Sequence, residues 1–356
     1  MGKRKPDHRS ALESGRDAAA SVYPAISRGA LRLRSVLWGR SGTETVGPPS
    51  LVTLELNAGR RFEADGAKGG RDGKAGALER FWRARSGPSK SDWLDIVNGV
   101  GAGTTLRLAG GDPLESPHLE VILFEADRRG IDVEIVTPGA RLEECAPVIY
   151  GLGVSRLRLV LYGPEEVHNR TTGDARAFES SVRGALAMRG LRCGTARPTL
   201  VVDVVTSAES VPSAAETVEC ALAMGADGVV LHWPCAGEGV LDVGAVLMLS
   251  RARTKWRGET VRFFPDLGED ELRRYYGGEA LSVGPKRCLV PWRSVTVGAD
   301  GKVRFCGTTV GDVGGEALAD VCNSEAARLL RRELKKGPAA ECAGCPGRFG
   351  DEGLVR

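Results

Sequence analysis

The rhythm of the chain between residues 50 and 232 restricts its fold more than any other feature. Short β-branched runs recur there: Ser50–Leu56, Thr104–Leu108, Asp132–Val136, Leu157–Leu161, Thr199–Val205 and Gly228–His232. Between them lie helical patterns around Trp93–Val97 and over Leu119–Arg128, Leu142–Tyr150, Ala177–Met188 and Ser213–Met224. Strands alternating with helices read as βαβ units and a parallel sheet. The strands are short and apolar, which fits burial on both faces. The spacing of the units, with Gly-rich turns, suits an open or partial barrel. A simple doubly wound sheet is the alternative.

A chain of 356 residues can hold one large domain plus a small one, or two ordinary ones. Its 42% hydrophobic and 27% charged content is that of a soluble globular protein, and with only 5% aromatics the core must be mostly aliphatic. A net charge of +3 is too small to argue for nucleic acid. Residues 1–48 form a basic extension, with nine Lys/Arg against four Asp/Glu. Such an arm suits a phosphate, a membrane surface or an acidic partner, or is a solvated tail. No run approaches the ~20 apolar residues of a membrane span. The start MGKRKPDHRS has no apolar stretch behind it, so no signal peptide is expected and the location expected is cytoplasmic.

In a reducing compartment the nine cysteines are thiols or metal ligands, not disulfides. Cys145, Cys193, Cys220 and Cys235 have apolar neighbours and read as small buried hydrophobes. Cys288, Cys306, Cys322, Cys342 and Cys345 crowd the C-terminal part, where ligation is the better reading. Residues 256–280 are polar and read as a linker or bridging helix, separating a barrel over 49–255 from a small domain over 281–356. Within that domain, Ser294–Phe305 is two alternating strands around Ala299-Asp300-Gly301, a hairpin that brings Cys288 and Cys306 together, and Glu325–Lys336 is a helix. Cys342 and Cys345 share one Gly/Pro loop. Four such thiolates meet the needs of Zn²⁺ or of a four-cysteine iron–sulfur cluster, and spacing alone leaves both open.

The segments CLVPW, GADGKVRFC, DVCNSEAARLLRREL and CAGC resemble the SPASM accessory domain of radical S-adenosylmethionine (SAM) proteins. Pro291-Trp292, Asp300-Gly301 and Asn323-Ser324 fall on that family's signatures. Cys322 stands where the family has Trp and is expected to pack. Asp351 and Val355 stand where the longer form has further cysteines, so the chain resembles the shorter, twitch form. That resemblance implies one auxiliary [4Fe–4S] cluster on Cys288, Cys306, Cys342 and Cys345. Upstream, residues 50–255 resemble the radical SAM partial (β/α)6 barrel. Gly110, Gly111 and Asp112, with Pro113, match the loop that contacts SAM. Two glycines at a strand's end also let backbone approach a ligand closely.

A radical SAM enzyme carries C-x-x-x-C-x-x-C after its first strand. Here LVTLEL runs into NAGRRFEADGAKGG, with Arg60, Ala64 and Ala67 in those positions, and the first cysteine of the chain is Cys145. Other cofactor positions change too: Thr137-Pro138-Gly139, Val160, Tyr162 and Ser210 replace the family's polar groups. The resemblance therefore implies a degenerate protein without radical SAM activity, for which SAM is not expected as a cofactor. The expected role is a binding or partner subunit in peptide or natural-product maturation, its partner a radical SAM enzyme or a precursor peptide. Arg60 and Arg61 are candidates for an anionic ligand at the barrel mouth, or are solvated surface residues. The alternative is an enzyme using the barrel for non-radical chemistry, SAM-dependent or with His232 and Cys235. His232 on its own reads as a packed or substrate-contacting residue, and His118 and His168 fall in loops or at helix starts with no special role.

Overall fold

Among the described residues a ten-stranded sheet runs through both halves of the protein, in the order β10-β9-β8-β1-β2-β3-β4-β5-β6-β7. The computed structural model describes residues 43–57, 87–234, 241–256, 260–285 and 287–350. The strands β1 (Leu51–Glu55), β2 (Thr105–Ala109), β3 (Asp132–Thr137), β4 (Arg156–Leu161), β5 (Thr199–Val205) and β6 (Gly228–His232) are the six that the sequence announces, each parallel to the next. A seventh, β7 (Val261–Phe264), extends the sheet in parallel beside β6. The stretch 256–280, expected as a linker or bridging helix, thus gives four residues to the sheet and forms a helix over Glu269–Arg274. Four residues in a polar segment give too short a pattern to read as a strand. On the other side, β8 (Ser294–Val297) pairs in parallel with β1. β9 (Lys302–Phe305) and β10 (Thr308–Asp312) then continue antiparallel, the first closing the expected hairpin.

Alternate residues of a strand face opposite sides. One set, including Val52, Leu54, Leu106, Leu108, Leu157, Leu159, Val202 and Leu231, packs against the helices in the main core. The covering helices are α1 (Lys90–Gly99), α2 (Leu119–Arg128), α3 (Leu142–Gly151), α4 (Glu165–Thr172), α5 (Ala177–Leu191), α6 (Ala214–Ala223) and α7 (Val243–Ala252). In α2 the buried residues Leu119, Ile122, Leu123 and Ala126 form one stripe at helical spacing. Such a helix is held by its buried stripe more than by intrinsic propensity. α4 has no such stripe: its one buried residue is His168, so the sequence offers no periodic signal. His168 lies in the first turn of α4, as the helix-start reading has it, and is fully buried.

Further on, α8 (Glu269–Arg274), α9 (Val290–Arg293), α10 (Leu318–Val321) and α11 (Glu325–Leu334) complete the elements the text uses. Residues 43–48, read as the end of a basic extension, lie along the C-terminal part. The Trp292 indole donates to Thr43 O at 2.7 Å, and Asn323 and Val46 exchange two hydrogen bonds. Arg331, fully buried, donates to Glu44 O, Pro291 O and Cys322 O, each at 2.8 Å, and lies over the Phe305 ring. Burial pushes its pKa down to about 10. Among the described residues no helix is long and apolar enough to cross a membrane. Cys193 is exposed and Cys145 and Cys220 are half-buried, so only in part are these the buried hydrophobes expected; Cys235 lies outside the described residues.

Candidate iron–sulfur site and barrel mouth

The sheet delivers the cysteines to one place. Cys288 precedes α9 and is buried. Cys306 forms the turn between β9 and β10 with Gly307, at φ +51° and +78°. Two positive φ values in a two-residue loop make a type I′ turn, whose twist matches that of the paired strands. Cys306 is the one non-glycine residue with positive φ among the described residues. Holding it there costs on the order of 1 kcal/mol, a strain that surrounding structure must enforce. On the other arm, Cys345 N–H donates to Cys342 O at 3.2 Å, and the Tyr275 hydroxyl fixes the intervening turn by donating to Gly344 O at 2.7 Å.

The four thiols share one electrostatic neighbourhood. The Cys288 pKa is held down at about 7, first by its hydrogen bond with Cys306 and, against burial, by the charges of Arg348 and Arg293. Cys306 is pushed up by the same bond, by desolvation and by Cys288, Cys345 and Cys342. Burial pushes Cys345 up, with Cys288 and Cys342 adding to it. Cys322 stands apart: burial within the core raises it to about 12, and the nearby charge is that of Arg331. The packing role expected for Cys322 is what the geometry shows.

This donor set suits a metal site: four thiolates serve a tetrahedral Zn²⁺, or a cubane that takes one thiolate on each iron. A buried donor without a partner among the described residues, Arg348 Nε, is also present on the loop just after Cys345. The residues fit an iron–sulfur cluster, which when bound supplies one-electron storage. The signature residues around it are structural: Asp300 binds Arg304 and the Lys302 N–H, and Ser324 caps α11 and bonds Val310 O. Arg331 and Arg348 were not singled out from the sequence, because nothing in an isolated arginine marks it as buried.

At the barrel mouth, Gly110 has φ +86°, and a Cβ there would lie 2.6 Å from Glu55 Cβ at the exit of β1. Asp112 is buried and turned inward. It accepts from Thr137 Oγ1 at 2.7 Å, Leu114 N at 3.0 Å and Ala140 N at 3.2 Å, while Asn57 Nδ2 donates to its carbonyl at 2.5 Å. Burial raises the Asp112 pKa, although the Thr137 bond opposes it. The loop and its neighbour over 137–140 are therefore laced together. Arg60, Arg61, Ala64 and Ala67 lie outside the described residues.

The face of the sheet turned away from the helices has two zones. Nearest the strand ends, Val136 and Val160 pack with Ala109, Tyr162 and Val205 as a separate apolar cluster. Two of these, Val160 and Tyr162, are positions where the family carries polar groups. Tyr162 stacks on His168 with 5.7 Å between ring centroids, and its N–H donates to His168 Nδ1 at 3.3 Å. Below lies a buried ionic layer. Arg107 Nε donates to Glu134 at 2.6 Å, Arg158 holds Asp203 with two bonds of 2.7 and 2.5 Å, and His232 Nε2 meets Asp203 Oδ1 at 2.7 Å. Burial alone would raise both carboxyls, but the Arg107 and Arg158 charges outweigh it and hold Glu134 and Asp203 down. His232 is thus part of a packed network, in keeping with the packing alternative.

A parallel sheet of this order, joined through β8 to a cysteine-bearing hairpin, is a fold that this chain shares with solved structures it is similar to. Residues 288–346 match the family SPASM, described as an iron–sulfur cluster-binding domain. The chain is similar to Streptococcus suis SuiB bound to S-adenosylmethionine, at 12% identity and a TM-score of 0.58, covering 98% of this chain and 76% of that one. It is also similar to native anSMEcpe with bound AdoMet and Cp18Cys peptide, at 13% identity and a TM-score of 0.53, covering 84% of this chain and 86% of that one. By sequence it is 27% identical over 227 residues to PqqA peptide cyclase of Streptomyces rochei, 60% of this chain and 59% of that protein. The chain thus spans about three fifths of the length of the curated relative it matches.

Proposed function

We propose that this chain is a catalytically degenerate radical SAM-like protein that keeps one auxiliary [4Fe–4S] cluster and acts as a binding or partner subunit in peptide or natural-product maturation. The observation that carries this reading is the absence of any cysteine before Cys145, so β1 leads into Arg60, Ala64 and Ala67 and not into a cluster-binding triad. Arginine and alanine cannot ligate iron, and without the triad's iron there is no seat for the amino and carboxylate groups of SAM. The apolar cluster around Val136 and Val160 supports the same reading, because it sets valine and alanine side chains on that face of the sheet near the strand ends.

Cys288, Cys306, Cys342 and Cys345 hold the cluster in this account, and Gly110, Gly111 and Asp112 keep the shape of the SAM loop without the cofactor. The relatives point to peptides as the class of ligand. One is named a PqqA peptide cyclase, and SuiB has been seen bound to precursor peptide SuiA. In the sequence Arg60 falls on the first cysteine position and Arg61 follows it, and two adjacent positive charges favour an acidic or carboxylate-bearing ligand. A cleft of about 700 Å³ beside β7, lined by Val230, Arg262, Phe264, Asp266 and Phe349, adds open surface shared by the two halves.

The test is a titration with SAM together with a pull-down using an intact radical SAM homologue or an acidic precursor peptide. No saturable SAM binding is expected, and capture of the partner is expected to weaken in the Arg60→Glu, Arg61→Glu double variant. Equal capture by both forms removes the barrel mouth from the account. Tight SAM binding with no partner returns the protein to the class of enzymes.

A further inference from the structure

Arg348 occupies an unusual position for a cation. It is three residues beyond Cys345 and only 4% exposed. Its terminal nitrogens are fully engaged: Nη1 donates to Ala280 O at 3.0 Å, and Nη2 faces Leu281 O, Val283 O and Pro285 O at 3.1 to 3.2 Å. These carbonyls belong to the segment that leads into Cys288. The guanidinium thus joins the approach to the first cysteine to the exit from the last. Its third donor, Nε–H, is buried and has no partner among the described residues. An unsatisfied buried donor of this kind costs about 1–3 kcal/mol, more for a charged group, and calls for an acceptor.

We propose that Arg348 Nε donates a hydrogen bond to a sulfur of the cluster, thiolate or sulfide, and so sets its reduction potential. The proposal rests on the reading that Cys288, Cys306, Cys342 and Cys345 hold that cluster. Three observations carry it. The guanidinium plane is fixed by its four carbonyl acceptors, so Nε cannot swing away to find water. Among the described residues no oxygen or nitrogen accepts from it. The Arg348 backbone N–H donates to Cys345 O at 3.3 Å, so the side chain springs from the turn that holds one of the four sulfurs. Hydrogen bonds to cluster sulfurs and nearby positive charge both stabilise the reduced, more negative state and raise the potential. Arg348 is a positioning and tuning residue here, not a catalytic one.

The experiment uses the full chain, reconstituted anaerobically. Arg348→Lys keeps a charge but drops the Nε donor, and Arg348→Gln drops the charge as well. Both are expected to bind iron as wild type does and to show a more negative midpoint potential, Gln further than Lys. Iron-replete variants with the wild-type potential would overturn the proposal. Should either variant lose iron, wild type decides. In protein carrying ¹⁵N at arginine Nε, the reduced cluster is expected to show a ¹⁵N coupling by pulsed electron paramagnetic resonance. The coupling should persist in Arg293→Lys and vanish in Arg348→Lys where that variant loads. Iron-loaded wild type without the coupling overturns the Arg348 assignment alone. Wild type holding stoichiometric zinc and no iron overturns the cluster reading, and this inference with it.

Discussion

Thr137 Oγ1 donates a 2.7 Å hydrogen bond to Asp112 Oδ1, tying the Gly110–Pro113 loop to the exit of the next strand. Asp112 also satisfies Leu114 N and Ala140 N, so Asp112→Ala leaves two buried donors and a part-buried one without an acceptor. We expect a loss of about 3 kcal/mol of stability, since each unsatisfied buried group costs ~1–3 kcal/mol and part of the loop relaxes. Urea denaturation of the variant measures this. Iron content should stay at the wild-type level, because the loop contributes none of the four cysteines.

The cysteines divide sharply. Serine at Cys288, Cys306, Cys342 or Cys345 is expected to abolish or strongly reduce cluster loading. Cys322→Ser is expected to leave the iron count intact and to cost about 1–3 kcal/mol, from placing a hydroxyl in a buried apolar site. Iron and sulfide assays after anaerobic reconstitution separate the two classes. Loss of iron in Cys322→Ser would move that residue into the ligand set.

His168 gives a pH dependence with a definite sign. Burial lowers its pKa to about 4, against about 6.5 in the unfolded chain, so the native state keeps it neutral. Between those values the unfolded state binds more protons, so stability rises with pH there. It is fully present above about pH 6.5 and falls as pH drops toward 4, by up to about 3 kcal/mol. His168→Asn is expected to flatten the melting-temperature profile over that range. An unchanged slope in the variant would assign the acid sensitivity elsewhere.

Arg331 holds three carbonyls from 43–48, α9 and the end of α10. Arg331→Leu removes the donors and leaves those oxygens buried, for an expected loss of about 3–5 kcal/mol. Limited proteolysis should then cut near residues 43–48, because the variant frees their main anchor. Protection equal to wild type would show that Trp292 and Asn323 suffice.

The fold was legible wherever burial wrote a period into the sequence. All six barrel strands and helices such as α2 carry an apolar alternation or stripe, and each formed within a residue or two of its expected bounds. Two of the elements missed lack that signal, whereas α7, also missed, buries Val246, Leu247 and Leu249. β7 has four residues, and α4 buries one histidine and no apolar stripe. The cysteine spacing was legible for a different reason: ligand residues cannot be exchanged without losing the site. What sequence could not offer was the partnering of polar side chains across the fold. Arg107 with Glu134, Arg158 with Asp203, and the carbonyl fan around Arg348 join positions that only the sheet brings together.

The central claim is that the barrel has lost radical chemistry while the C-terminal domain keeps a cluster. Its most direct test is to reconstitute the full chain anaerobically, to about four irons per chain as one cubane requires, reduce it with dithionite, and incubate it with SAM. The account predicts no 5′-deoxyadenosine above a no-protein control. Several equivalents of that product per chain would contradict it, by showing that a SAM-cleaving cluster forms without cysteines at Arg60, Ala64 and Ala67.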